Sequence, residues 1–113
     1  MASTGLRGPF PLTRDGVDAA VTFAMPGTYA LGHINQHDQF VVEYAGRADD
    51  DVNARLKDHV PEPYQKFKFE YYASAKEAYF KECRIYHDFR PRDNKIHPAA
   101  PKGSYLSCPV CGQ

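Results

Sequence analysis

The chain has 113 residues, and its 14 basic and 14 acidic side chains give a formal net charge of zero. This length allows one domain with one modest core. The neutral charge disfavours tight non-specific binding to nucleic acid, because counterion release needs a positively charged surface. No apolar run approaches the ~20 residues of a membrane span, so the sequence predicts no such span.

Three cysteines are present, and two of them, Cys108 and Cys111, form a Cys-x-x-Cys pair. An odd number with this spacing favours thiols or a metal site in a reducing compartment over a disulfide framework. Residues 1–10 also lack the apolar segment of a secretory signal. The sequence therefore predicts a cytoplasmic protein.

The first half of the chain predicts a helix followed by a β-hairpin. Residues 1–12 are rich in glycine and proline and predict a flexible lead-in. Thr13–Phe23 predicts a short helix with Thr13 as its N-cap. The segments Thr28–Leu31 and Phe40–Ala45 are rich in β-branched and aromatic residues and predict the two strands of the hairpin. Alternation along the second strand predicts that Phe40, Val42 and Tyr44 share one face.

The second half predicts a helix, a third strand and a longer helix. Apolar residues at helical spacing after an acidic run predict a helix over about residues 50–59. The alternating segment Lys66–Tyr72 predicts a strand with one buried face. Ser74 and Glu77 form a capping box for the last helix, which ends at Arg90-Pro91. We therefore predict an α+β domain over residues 13–96, with a small three-stranded antiparallel sheet flanked by helices, followed by a proline-rich tail over residues 97–113.

Glu82 stands out because it lies within the apolar stripe of the last helix, in line with Ala75 and Ala78. An ionised carboxylate in such a position is costly unless it is paired or binds a cation. Three alternatives follow. Glu82 pairs with a basic residue such as Arg55, it binds a metal ion, or it lies at the edge of the core where its carboxylate reaches water. Arg55 and His59 lie along the inward edge of the preceding helix. Each could have a functional role, or Arg55 could simply extend to solvent and His59 could simply be exposed.

Five short elements follow one another along the chain in a suggestive order. They are Gly27-Thr28-Tyr29 and Tyr44-Ala45-Gly46 on the two strands of the predicted hairpin, Arg55-Leu56 with His59 on one helix, Glu82 on the next, and Arg90-Pro91-Arg92-Asp93-Asn94 after it. Together they resemble the GIY-YIG nuclease family, and the last element is similar to the one that closes the nuclease domain of the bacterial excision-repair endonucleases. The resemblance spans residues 27–94.

The resemblance implies a metal-dependent endonuclease, a hydrolase that binds DNA and cleaves its phosphodiester bonds with one Mg²⁺ or Mn²⁺. It implies that Glu82 is the magnesium ligand, that Arg55 binds the phosphate, and that Asn94 fixes the geometry by hydrogen bonding. Members of this family usually carry a separate DNA-binding domain, and we expect none within these 113 residues. We therefore expect that a partner protein supplies part of the DNA affinity.

The resemblance also implies that Tyr29 or Tyr44 orients the attacking water, and that one of them deprotonates it. A free tyrosine titrates near ~10, so a role as base requires a pKa lowered by a neighbouring cation. Arg47 and His59 are the candidate cations, and the sequence does not decide between the two tyrosines. The alternative for each tyrosine is a plain position in the aromatic core.

A second metal site is suggested by the segment from Cys108 to Gly112, which resembles one zinc knuckle. A structural zinc needs four ligands, and Cys83 and His87 share a helix face at i and i+4. His97 is an alternative to either of these helix ligands. The competing interpretation is a tail with free thiols, and a redox role is disfavoured because this Cys-x-x-Cys does not open a helix. A zinc-stabilised, non-catalytic module that binds nucleic acid or protein is therefore the alternative to the nuclease.

Overall fold

The computed structural model describes residues 3–113, which form four strands and three helices. In chain order the elements are β1 (Arg7–Pro11), α1 (Arg14–Ala20), β2 (Gly27–Ile34), β3 (Phe40–Ala48), α2 (Val52–Asp58), β4 (Lys66–Tyr71) and α3 (Ala75–Phe89). The predicted α+β class is confirmed.

The strands form one antiparallel sheet in the order β1-β4-β2-β3. The prediction of three strands is wrong, because Arg7–Pro11 pairs with β4 as a fourth strand. Its two prolines lack N–H groups, and they are tolerated because β1 is an edge strand. The predicted flexible lead-in over residues 1–12 is thus a strand over part of its length, and residues 1 and 2 lie outside the described residues.

Each helix begins where a side-chain cap predicts. Thr13 accepts a hydrogen bond from the N–H of Gly16 at 2.9 Å, as its predicted N-cap role requires. Ser74 likewise accepts from the N–H of Glu77 at 3.3 Å. The same interaction at the start of α2 is made by Asp51, which belongs to the acidic run. These local signals explain why the predicted helices lie close to the observed ones.

The two faces of the sheet bury different clusters. One cluster joins the sheet to α1 and α2 and includes Val17, Tyr29 and Leu56. The other joins it to α3 and includes Ala30 and Ile85. The sheet is therefore covered by α1 and α2 on one face and by α3 on the other.

A β-bulge in β3 decides which side chains face which layer. Leu31 pairs with Tyr44, whereas the next residue of β2, Gly32, pairs with Val42, so Glu43 is the extra residue. Phe40 and Val42 consequently pack in the α3 cluster, while Tyr44 packs in the other cluster. The prediction that these three side chains share one face is wrong because of this inserted residue.

The C-terminal tail packs against α3. Cys108 is buried with Tyr79 and Cys83, and Ala100 and Leu106 pack against this third cluster. Among residues 3–113, no helix has the length and apolar character needed to cross a membrane.

Candidate functional site

A cleft of about 230 Å³ lies at the β3 edge of the sheet. It is lined by five of the residues that the sequence predicted to act together, namely Tyr29, Tyr44, Arg55, His59 and Glu82. They come from β2, β3, α2, the C-terminal cap of α2, and α3. Residues far apart in the sequence are therefore gathered into one site.

The free edge of β3 brings the two faces of the sheet together. Alternation along β3 directs Tyr44 and Gly46 towards the α2 side, and Ala45 and Arg47 towards the α3 side. Ala45 accordingly packs in the α3 cluster, and Arg47 forms an ion pair with Glu82 on α3. The cleft is open to groups from both layers because β3 has a neighbouring strand on one side only.

Tyr29 reaches the cleft by passing over Gly46, its partner on β3. A Cβ atom on Gly46 would lie 2.6 Å from the Cζ and Oη atoms of Tyr29, which is closer than real Cβ atoms approach other atoms. The glycine of the Tyr44-Ala45-Gly46 element is therefore required by the position of the Tyr29 ring.

The Tyr29 hydroxyl is hydrogen-bonded to His59 Nε2 at 2.8 Å, and His59 Nδ1 lies 2.9 Å from a carboxylate oxygen of Glu62. A carboxylate accepts hydrogen bonds, so Glu62 favours the His59 tautomer that carries its proton on Nδ1. His59 Nε2 then carries the lone pair and accepts the Tyr29 O–H. His59 is thus a hydrogen-bonded member of the site, and the alternative of a freely exposed histidine is wrong.

Both tyrosines are held in their neutral form. Burial raises the pKa of Tyr29 well above its ordinary value, and the charge of Arg55 opposes this shift only in part. Burial also raises the pKa of Tyr44. Neither tyrosine therefore has the lowered pKa that the role of a base requires.

Glu82 is only 7% exposed, and its partner is Arg47, with Nη1 at 2.8 Å from Oε1. Arg55, which the sequence offered as a partner, does not form this pair. Arg47 also donates to Asp49 at 2.6 Å and to the carbonyl of Ala99 at 2.6 Å. Burial raises the pKa of Glu82 to about 7, although the hydrogen bond and charge of Arg47 act in the opposite direction.

The donor set at Glu82 fits a hard cation that keeps most of its water ligands. Arg47 binds Oε1, and among the described residues no group is hydrogen-bonded to Oε2. One free carboxylate oxygen beside a polar cleft suits Mg²⁺, which binds proteins through one or two carboxylates and retains waters.

Arg55 is exposed on α2 and lines the cleft. Within residues 3–113 no acidic side chain forms an ion pair with it, in contrast to Arg47. Its guanidinium is therefore available to an anion that enters the cleft.

Asn94 lies beside the free edge of β3 and holds the backbone of Ala45. Its Oδ1 accepts the Ala45 N–H at 2.8 Å, and its Nδ2 donates to the Ala45 carbonyl at 2.9 Å. It lines a neighbouring hollow that shares Tyr44 and Glu82 with the cleft. Asn94 is thus a residue that supports the strand rather than one that lines the cleft.

A second group of side chains that could hold a metal ion lies on α3 and the tail. One ligand atom from each of His87, His97, Cys108 and Cys111 lies within 4.8 Å of the others. His97 occupies the place predicted for Cys83, whose pKa burial raises to about 12. Cys83 is thus a neutral thiol in the buried cluster beside Cys108. Burial opposes ionisation of Cys108, but backbone N–H groups of residues 110 and 111 lower its pKa to about 5.

Three residues of the site have roles that the sequence did not reveal: Arg47 as the partner of Glu82, Asp49 as a second partner of Arg47, and Glu62 behind His59. Alternation could have identified Arg47, since Ala45 and Arg47 share the face of β3 that meets α3. Glu62 follows Pro61 beyond the end of α2, and it carried no pattern that marked it.

Comparison with known proteins supplies no relative for this arrangement, since no family model, no curated protein and no solved structure matches the chain. The GIY-YIG resemblance therefore stays a prediction based on the residues themselves.

Proposed function

We propose that this protein is a metal-dependent endonuclease, a hydrolase that cleaves phosphodiester bonds of DNA by a GIY-YIG-type mechanism with one Mg²⁺ or Mn²⁺. The observation that carries the proposal is the meeting of Tyr29, Tyr44, Arg55 and Glu82, from four separate elements, around one cleft. Phosphodiester hydrolysis needs a positioned water, stabilisation of the phosphate charge, and help for the leaving oxygen. The cleft offers a group for each requirement.

Arg55 is the residue that we assign to the phosphate. It is exposed, lines the cleft and is free of ion pairs within the described part of the chain. A guanidinium presents a planar fork of donors that matches two phosphate oxygens. Arg47 is already engaged by Glu82 and Asp49, so we assign it a positioning role.

Tyr29 is the tyrosine that we assign to the attacking water, because its hydroxyl has a proton acceptor in place. As the water loses a proton to Tyr29 Oη, the hydroxyl proton passes to His59 Nε2, 2.8 Å away. The carboxylate of Glu62 stabilises the imidazolium that forms. This relay works with a neutral tyrosine, and it therefore agrees with the raised pKa of Tyr29. Tyr44 lies beside the His59 ring, 5.6 Å between centroids, and closes the same side of the cleft.

Glu82 is the residue that would hold the metal, through the carboxylate oxygen that Arg47 leaves free. When bound, the ion would supply a Lewis-acid charge for the leaving oxygen. Asn94 keeps β3, and with it Tyr44, at a fixed distance from α3 through its two bonds to Ala45. The neutral net charge of the chain is the reason for expecting that a partner protein supplies part of the DNA affinity.

The test is cleavage of supercoiled plasmid and branched DNA with Mg²⁺ or Mn²⁺, with chelator as the blank. We expect Arg55→Ala and Glu82→Gln to lower the rate by at least about 100-fold, as loss of a transition-state contact does. Arg84→Ala, at an exposed arginine of α3 outside the cleft, is the matched control and should cleave normally. Equal trace cleavage by all four proteins would refute the proposal.

A non-catalytic module that binds nucleic acid or protein is the second candidate, and one observation favours it. Glu82 already has an internal partner in Arg47, so its burial is explained without a catalytic metal. This candidate predicts that Mg²⁺ leaves the melting temperature unchanged. The nuclease predicts a rise in melting temperature with Mg²⁺ that is absent in Glu82→Gln.

A further inference from the structure

We propose that His87, His97, Cys108 and Cys111 bind one structural Zn²⁺, and that this ion fixes residues 97–100, whose Ala99 forms part of the wall of the cleft. The proposal rests on the proposed function only where it gives residues 97–100 a role beside the nuclease cleft. Zinc binding itself is measured without DNA, so the failure of one proposal can be told from the failure of the other.

The ligand atoms of the four side chains lie within 4.8 Å of one another, and two of the distances between them are close to those of a tetrahedral zinc site. With Zn–N near 2.1 Å and Zn–S near 2.3 Å, two nitrogens are about 3.4 Å apart and a nitrogen and a sulfur about 3.6 Å apart. His87 Nε2 and His97 Nε2 are 3.3 Å apart, and Cys111 Sγ is 3.4 Å from His97 Nε2. A set of two sulfurs and two nitrogens favours zinc over magnesium, which prefers oxygen.

His97 is oriented as a metal ligand by its second ring nitrogen. Its Nδ1 donates to the carbonyl of Pro98 at 2.8 Å, so the lone pair lies on Nε2, the atom that faces His87 and Cys111. A histidine that ligates a metal almost always donates its other N–H to a carbonyl or carboxylate in this way. The tautomer that zinc requires is therefore the one that the backbone selects.

The two cysteines lie on a tight turn that directs the backbone N–H of Val110 towards the Cys108 sulfur. The N–H of Val110 points to Cys108 Sγ at 3.4 Å, and the N–H of Gly112 donates to the Cys108 carbonyl at 2.8 Å. Gly112 adopts a φ of +79°, which favours glycine at this position. The Val110 N–H donor stabilises a thiolate, the form in which cysteine binds a metal.

The ion would act on the cleft through the short segment that follows His97. The carbonyl of Ala99 accepts from Arg47 Nη1 at 2.6 Å, and the same nitrogen donates to Glu82. Ala100 packs in the cluster that contains Cys108. His97 would hold one end of this segment as a zinc ligand, and Ala100 holds the other end by packing in the Cys108 cluster, so that the Ala99 carbonyl between them supports Arg47. Without the ion, we expect the segment to leave the cleft and the Ala99 hydrogen bond to break.

The first experiment measures metal in the protein purified without added metal. We expect inductively coupled plasma mass spectrometry to find about one zinc per chain. After exchange with Co²⁺, we expect the visible absorption of tetrahedral cobalt. Cys111→Ser and His97→Ala should each weaken zinc affinity by at least about tenfold. Cys83→Ala, which removes the third thiol of the chain, is the control and should bind zinc normally. Absence of zinc, or loss of zinc in the control alone, would overturn the proposal.

The second experiment tests whether zinc holds residues 97–100 in place beside the cleft. We expect removal of zinc by a chelator to shift the NMR signal of the Arg47 Nε–H group and to leave in place the amide signals of β1 and β4, the two strands on the side of the sheet away from β3. An unchanged Arg47 signal would contradict the claim that zinc fixes residues 97–100, since the segment would then hold its position without the ion. Global unfolding of the zinc-free protein would also overturn it, because zinc would then support the whole fold.

Discussion

Arg47 Nη1 lies 2.8 Å from Glu82 Oε1, and this ion pair joins the edge strand β3 to helix α3 where both residues line the cleft. Both side chains are largely buried: counted over side-chain atoms alone, Arg47 is 11% exposed and Glu82 is 9% exposed. Arg47 also lies over the Tyr79 ring, 5.2 Å from its centroid. The pair therefore holds the one buried carboxylate of α3 in place, whether or not a cation also binds it.

Substitution of Arg47 is expected to lower the stability of the protein, whereas substitution of Arg55 is expected to abolish cleavage and leave the stability almost unchanged. Arg47→Met leaves Glu82 buried without a partner, and we expect it to lower the free energy of unfolding by about 3 kcal/mol. Arg55→Met removes an exposed charge, and we expect a change of less than about 0.5 kcal/mol together with loss of cleavage. Urea denaturation and the plasmid assay measure the two effects. Equal stability of both variants would show that the Arg47–Glu82 pair is energetically unimportant.

The Glu62 carboxylate is expected to set the tautomer of His59. In Glu62→Ala both tautomers of His59 become accessible, and we expect the cleavage rate to fall by about tenfold. The ¹⁵N shifts of the His59 ring report the tautomer directly. His33, which contacts Glu43 in the same way outside the cleft, is the internal reference and should not change. Unaltered His59 shifts would remove Glu62 from the relay.

Local sequence signals predicted much of this architecture, because helix caps and strand alternation act over a few residues. Thr13 and Ser74 cap the helices as expected, and Glu82 is buried as its place in the apolar stripe implied. β1 escaped prediction because its glycines and prolines are typical of loops. Its strand pairing depends on β4, which lies more than 50 residues further along the chain.

The interactions that escaped prediction were set by tertiary geometry. The inserted Glu43 turned Tyr44 to the face opposite Val42, and no periodicity in the sequence records a bulge. The path of the tail decided that His97, rather than Cys83, faces the other metal-binding side chains. Both cysteine and histidine were plausible ligands from spacing alone, and only the fold distinguishes them.

Asn94 is expected to stabilise the β3 edge through its two bonds to Ala45. Asn94→Ala leaves the backbone N–H of the buried Ala45 without its acceptor, and we expect a loss of about 1–3 kcal/mol. Asn94→Asp keeps the acceptor and loses the donor, so its stability should be intermediate. Hydrogen exchange of the Ala45 amide should become faster in Asn94→Ala and stay slow in Asn94→Asp. A slow Ala45 amide in both variants would contradict the assigned role.

Arg7 and Glu70 are expected to make the attachment of β1 sensitive to acid. Arg7 contacts the carboxylate with two nitrogens, at 2.6 and 3.1 Å, and this hydrogen bonding lowers the pKa of Glu70 below 4.5. The pair therefore stabilises the fold fully above pH 4.5, and its contribution is lost as the pH falls through the lowered pKa. In Glu70→Gln the amide exchange of β1 should be faster at pH 7 and equal to wild type in strong acid. Exchange that differs equally at both pH values would exclude the carboxylate charge as the cause.

Gly46 is expected to be the position of β3 that is least tolerant of a side chain. Gly46→Ala would place a Cβ atom 2.6 Å from the Tyr29 ring, so the ring must move and its bond to His59 must break. We expect a loss of about 1–3 kcal/mol in stability and a cleavage rate as low as that of Tyr29→Phe. The Tyr29→Ala background provides the control, because the added methyl group then meets no ring. If Gly46→Ala costs as much in that background as in wild type, the contact with Tyr29 is not the reason for the glycine.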